Sequence, residues 1–124
     1  MNYNQDVRDS ILEITSKSYS GGIETYSNLS LGSLENLVSL DFIDLTDRQN
    51  VAPSAGEFLE FMKQHPNFKA HGYAVSKTRP DYRVTIEGLQ CSSIDEKDLV
   101  DFQELFREAD EFTCKRGHQS CWYD

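Results

Sequence analysis

Between Tyr82 and Phe112 the hydrophobic period of this chain changes once, and that change sets the fold class. Tyr82, Val84 and Ile86 alternate with Arg83, Thr85 and Glu87, the pattern of a strand with one buried face. Farther on, the apolar residues recur at Leu99, Phe102, Leu105, Phe106, Ala109 and Phe112, the spacing of one face of a long helix. Asp101, Glu104, Glu108 and Glu111 cover its opposite face. A one-sided strand and a one-sided helix bury those faces against each other. The expected architecture is therefore α+β: an antiparallel sheet of about four strands with helices packed mainly on one face. Ser93 and Glu96 have the spacing of a capping box ahead of the helix. Asp95 and Asp98 suit the positive end of its dipole. Lys115, Arg116 and Gly117 are residue types that close a helix.

Lys69–Lys77 supplies a partner for the strand over Asp81–Leu89, joined through Thr78-Arg79-Pro80-Asp81, because Pro80 cannot donate to a ladder. Ser54 and Glu57 form a second box, opening a helix with Phe58, Phe61, Met62 and His65 on its apolar stripe. Pro66 stops that helix. Val7, Ile11 and Ile14, with Leu12 beside them, predict an amphipathic helix over residues 3–18 that ends near Lys17, before Ser20-Gly21-Gly22. Asp6, Arg8, Asp9, Glu13 and Lys17 make its polar side. Residues 23–45 read as mostly extended, in one run through Ile23, Thr25, Ser27 and Leu29 and a second through Val38, Leu40 and Phe42. Leu34, Leu37 and Val38 are spaced equally well for a helical turn. The expected order is helix, strand, strand, helix, strand, strand, helix. Recurrence of the Ser-x-x-Glu box after an extended pair admits a duplicated ββα unit.

The 124 residues form one expected domain, 1–124, of common size. Seven Phe and six Tyr supply enough large apolar surface for a core, which argues against a disordered chain. Twenty-one acidic residues against twelve basic ones give a net charge of -9. Such a surface repels nucleic acid and anionic membrane and suits a basic protein partner. No run approaches the ~20 apolar residues of a membrane span. The first residues lack the basic and apolar regions of a signal peptide. With three cysteines, an odd number and no dense framework, the expected location is the reducing cytoplasm.

Cys114, His118 and Cys121, with Cys91 as a fourth ligand, make a Cys₃His set of the kind zinc takes, but without a Cys-x-x-Cys knuckle. Three ordinary thiols are the plainer reading, and a Cys114–Cys121 disulfide runs against the compartment. Asp41, Asp44 and Asp47 lack the spacing of a calcium loop and read as loop solvation. His65 sits at a helix end and His71 in a strand. No nucleophile elbow, phosphate loop, dinucleotide fingerprint or metalloprotease motif is present, so no enzyme class and no cofactor is indicated.

The functional expectation is a non-enzymatic protein-binding or self-associating module, with an inhibitor or immunity-type protein for a basic partner as its specialised form. Its interaction residues are Asp101, Glu104, Glu108 and Glu111, offset only by Lys97 and Arg107, together with Trp122 and Tyr123. An acidic helix face ordinarily meets only water. Trp122 and Tyr123 either dock on the sheet as a last strand or stand out as an anchor. Two alternatives remain. One is a small-ligand or enzyme-like pocket between sheet and helices, with His71, Tyr73 and Tyr82 pointing inward. The other is a zinc-stabilised tail built on Cys91, Cys114, His118 and Cys121.

Overall fold

The computed structural model describes residues 1–15 and 17–124. Along them run helix α1 (Gln5–Leu12), strand β1 (Ile23–Leu29), helices α2 (Leu31–Ser39) and α3 (Ala55–Gln64), and the hairpin strands β2 (Lys69–Val75) and β3 (Arg83–Cys91). Helix α4 (Glu96–Phe106) and strands β4 (Glu111–Lys115) and β5 (His118–Trp122) complete the order. The five strands form one sheet in the order β1-β2-β3-β5-β4, antiparallel throughout. The expected α+β class is what forms.

Helices occupy one side of the sheet. Leu12, Leu34, Leu37, Phe58, Phe61, Phe102 and Phe106 from the helices bury against Ala70, Ala74, Val84, Ile86, Leu89 and Cys121 from the strands. Aromatic rings fill the layer between. Phe61 meets Phe68 and Phe106 edge-on at 5.1 and 4.9 Å, and Phe102 stacks on Phe68 at 5.1 Å. Such pairs add about 0.5–1.5 kcal/mol each beyond the area they bury. The small residues Ala70 and Ala74 on β2 leave room for those rings. No helix among the described residues is long and apolar enough to cross a membrane.

Several local expectations are corrected or resolved. Residues 31–39 form a helix, the second of the two readings that Leu34, Leu37 and Val38 left open, and no second strand runs through Val38, Leu40 and Phe42: the Ser30 side chain accepts from the Ser33 N–H, and Leu34 and Leu37 are buried. Only β1 therefore precedes the β2–β3 hairpin in the sheet, and the ββα unit does not recur in the first half. The long helix stops at Phe106, and residues 111–115 turn back as β4. Lys115 pairs with His118, so Arg116 and Gly117 make a two-residue hairpin turn, with Gly117 at φ 84°. Lys115, Arg116 and Gly117 thus close a hairpin, not a helix.

The capping box at Ser93 and Glu96 is replaced by a different cap. Asp95 is the N-cap and accepts from the N–H groups of Lys97 and Asp98. The Ser93 hydroxyl accepts from the Asp95 N–H and donates to the Asp98 carboxylate at 2.6 Å. By contrast, the Ser54–Glu57 box forms in both directions. Finally, α1 is shorter than expected and ends at a left-handed Glu13. Its buried side carries Arg8, Asp9 and Leu12, while Val7 is 41% exposed.

Close approach of β5 to β3 depends on Gly88. A Cβ there would lie 1.9 Å from the Cys121 carbonyl oxygen. That contact fixes where the C-terminal hairpin meets the sheet, and so where the candidate residues Trp122 and Tyr123 fall.

Candidate interaction surface

The fold distributes the four acidic residues over three places. Asp101 is engaged: its carboxylate lies 2.8 Å from the Lys97 ammonium and 3.0 Å from His65 Nε2. The Lys97 hydrogen bond, with smaller help from the Lys97 and His65 charges, holds Asp101 below the usual carboxylate range. Asp98 takes the other imidazole nitrogen, Nδ1, at 2.6 Å. His65 is buried, and it ties the end of α3 to the first two turns of α4. Ser93, Asp98 and His65 touch in sequence, yet the hydroxyl donates to the carboxylate and not to the imidazole. In nucleophilic catalysis the hydroxyl meets the base. Here it meets the carboxylate, so the cluster is a clamp between helices.

Glu104 and Glu108 are exposed. Glu108 borders a basin of about 320 Å³ whose lining includes Val51, Leu105 and Tyr123 with Glu57 and Arg48. Val51 is 83% exposed and Leu105 55% exposed. The periodicity placed Leu105 on the core face of the helix. The core face is completed instead by Phe112, which stacks on Phe102 at 5.5 Å from β4, and Leu105 is left facing outward. Arg48 pairs with Glu57 across 3.2 Å. The arrangement has an apolar centre and a charged margin, the anatomy of a protein interface.

Trp122 and Tyr123 dock as the sheet's last strand and its continuation, and they point to opposite sides. Tyr123 is buried, its N–H donating to the Glu87 carbonyl at 2.8 Å. Burial, and behind it the nearby Cys121 and the carboxylates of Asp110, Glu108 and Glu57, pushes its hydroxyl up to about 12. Trp122 is half-buried on the side away from the helices, with Nε1 donating to Glu87 at 3.2 Å. Glu111 is its cross-strand neighbour there.

The three cysteines are free and separate. Cys121 faces the core and accepts from the Leu89 N–H, and burial pushes its thiol up to about 12. Cys114 donates to the Leu99 carbonyl. Burial also raises Cys91 and Cys114 above the ordinary thiol value, so none of the three favours a thiolate. Cys114 pairs in register with Gln119, not Cys121. His118 is exposed opposite Lys115. Among the described residues no group of three His, Cys, Asp or Glu side chains gathers as a metal ion would require. In the loop after α2, Asp44 accepts from the Thr46 N–H and hydroxyl, Asp47 accepts from the Asp44 N–H, and Asp41 meets the chain's amino terminus. Asp44 and Asp47 thus organise their own loop.

His71, Tyr73 and Tyr82 do not converge. His71 donates from Nε2 to the Cys121 carbonyl at 3.0 Å, and Tyr73 accepts from Arg83 at 2.9 Å. Tyr82 is buried between Arg8, 4.6 Å above its ring, and Tyr3. A cavity of about 400 Å³ does open beside the first half of β3, where Tyr73, Arg83 and Thr85 meet Ile43 and Gln49.

Sequence reasoning missed Val51, which lies in a polar stretch, and the exposure of Leu105, which only the position of β4 decides. The chain matches no protein-family model, and neither a curated protein nor a solved structure is significantly similar to it.

Proposed function

We propose that this protein is a non-enzymatic binding module that docks a basic segment of a protein partner in the basin beside α4. The observation that carries this reading is the pair of exposed apolar residues, Val51 and Leu105, lining one basin with Glu57 and Glu108 at its margin. A lone exposed leucine needs no explanation. Two apolar side chains lining one basin with an aromatic floor, beside Glu108 and a Glu57 that is paired with Arg48, match the apolar centre and polar rim of an interface. The net charge of -9 steers a cationic partner toward this surface. The same charge makes two copies of the chain repel, which favours a basic partner over self-association. An inhibitor or immunity-type protein covering a basic site is the specialised form of this reading.

The test compares wild type with two variants in pull-downs from the native host, followed by kinetics on the recovered partner. Glu104→Lys with Glu108→Lys slows association and flattens its salt dependence, because rim charges act mainly on the on-rate. Leu105→Ala speeds dissociation by about tenfold, the loss of about 1.4 kcal/mol of apolar contact. A partner that binds all three forms equally overturns the proposal.

A second reading has one observation in its favour. Gln49 Oε1 is buried without a hydrogen-bond partner beside the 400 Å³ cavity at β3. A small polar ligand donating to that oxygen would make the cavity a ligand site.

A further inference from the structure

The side of the sheet that the helices leave open carries a second feature, independent of the α4 basin. His71 from β2, Glu87 and Gln90 from β3 and Trp122 from β5 line a shallow basin of about 380 Å³, with Thr25 of β1 at its edge. Glu111 of β4 sits directly across from Trp122. The indole therefore stands between two carboxylates, one bonded to its N–H and one beside it across the ladder. Among the described residues no cation pairs with either Glu87 or Glu111.

We infer that this basin receives the guanidinium of an arginine on a partner protein, stacked on Trp122 and paired with Glu87 and Glu111. Trp offers the strongest cation–π face of the aromatic residues. Its N–H is already satisfied by Glu87, so the ring is held in place before any ligand arrives and loses little freedom on binding. Glu87 uses Oε2 for that bond, and its other oxygen is free of hydrogen bonds to the indole. Glu111 is exposed and brings a full carboxylate across the ladder from Trp122, on the side of the indole away from β3.

Lys69 shares this face, opposite Gln90 in the β2–β3 register, and offsets part of the charge; the remaining neighbours do not. Burial outweighs the Cys121 carbonyl and Glu87 in setting His71, and moves it below its ordinary value, toward the neutral ring. Lys115 and His118 share the outer face but lie at the turn end of the β4–β5 hairpin, away from the Glu111–Trp122 pair. Arg83 is held by Asp81 and Tyr73. Arginine fits better than lysine, because a planar guanidinium can stack on the indole while donating in its own plane to carboxylates, which a spherical ammonium cannot.

Trp122 is the only tryptophan in the chain, so its fluorescence reports this site alone. The experiment titrates the full chain with acetyl-Gly-Arg-Gly-amide, its lysine counterpart and its citrulline counterpart, which keeps the shape of arginine without the charge. The arginine peptide changes Trp122 emission saturably, the lysine peptide binds about threefold more weakly, and the citrulline peptide gives no saturable response. Glu87→Gln with Glu111→Gln weakens arginine binding by about tenfold. Glu111→Gln alone, at an exposed position that folding does not need, weakens it by about threefold. The Glu104→Lys, Glu108→Lys variant keeps the response, so the α4 basin and this site fail or stand separately. Equal responses to arginine and citrulline, an unchanged affinity in Glu111→Gln, or loss of the response in the α4 variant would each overturn the inference.

Discussion

Arg8 shows how far a single residue can depart from the pattern around it. Val7, Ile11 and Ile14 mark an apolar stripe, and Arg8 looks like the solvated residue beside it. In the fold Arg8 is fully buried. Its guanidinium donates to the Val75 carbonyl at 2.8 Å, to the Tyr19 hydroxyl at 2.6 Å and to Asp9 at 3.1 Å, and it lies over the Tyr82 ring. Tyr19 in turn donates to Asp9. A charge taken out of water costs several kcal/mol unless it is paired and hydrogen-bonded, and here each of the three guanidinium nitrogens has a partner. The partners Val75 and Tyr82 come from the far side of the chain, so no local window could reveal the burial. The structure predicts that Arg8→Ala costs about 3–5 kcal/mol in urea unfolding, because Asp9 is left buried without its cation. Replacing both, as Arg8→Met with Asp9→Leu, recovers a large part of that loss. A single substitution costing under about 1 kcal/mol would show that water fills the gap.

At the scale of elements, caps and turns decided what the periodicities left open. The β2–β3 hairpin was legible because strict alternation and a proline-bearing connection agree. Residues 105–115 were not, because Leu105, Phe106, Ala109 and Phe112 continue a helical spacing while Phe112 and Cys114 also alternate. The strand prevails because it pairs Glu111 through Lys115 with all of β5, which no helix extension offers. Arg116-Gly117 was the available signal, a two-residue turn between alternating runs. Read as a helix end, it hid the hairpin and with it the real surroundings of Trp122. The Ser-x-x-Glu pattern was reliable at Ser54 and misleading at Ser93, where Asp95 stands one residue ahead of Glu96 and captures the cap. The consequence is measurable. Glu57→Ala is expected to cost about 1 kcal/mol of stability, whereas Glu96→Ala stays within about 0.5 kcal/mol and Asp95→Ala costs about 1 kcal/mol. Equal losses at Glu57 and Glu96 in thermal or urea unfolding would restore the box at Ser93.

For the whole molecule the governing quantity is the excess of negative charge. Exposed ion pairs such as Arg48–Glu57 contribute about 0–1 kcal/mol each, and salt weakens them. Nine uncompensated negative charges repel one another across the surface, and salt relieves that repulsion. The repulsion wins, since it acts among all the exposed carboxylates while the pairs are few and already screened by water. Raising sodium chloride from about 10 mM to about 300 mM shortens the screening length several-fold. Stability should then rise, by roughly 1 kcal/mol, where a chain held by surface ion pairs would lose stability. Each reversal at Glu104 or Glu108 shifts the charge by two, so the double variant carries -5 where wild type carries -9. Its gain on adding salt should be smaller than that of wild type, and its stability at low salt should be equal or higher. Calorimetric melting at both salt levels checks the point. Higher low-salt stability in the variant would mean that the carboxylates beside α4 are held there at a cost to the fold, as expected of residues kept to meet a basic partner. A variant that melts lower at every salt level would show that Glu104 and Glu108 support the fold instead.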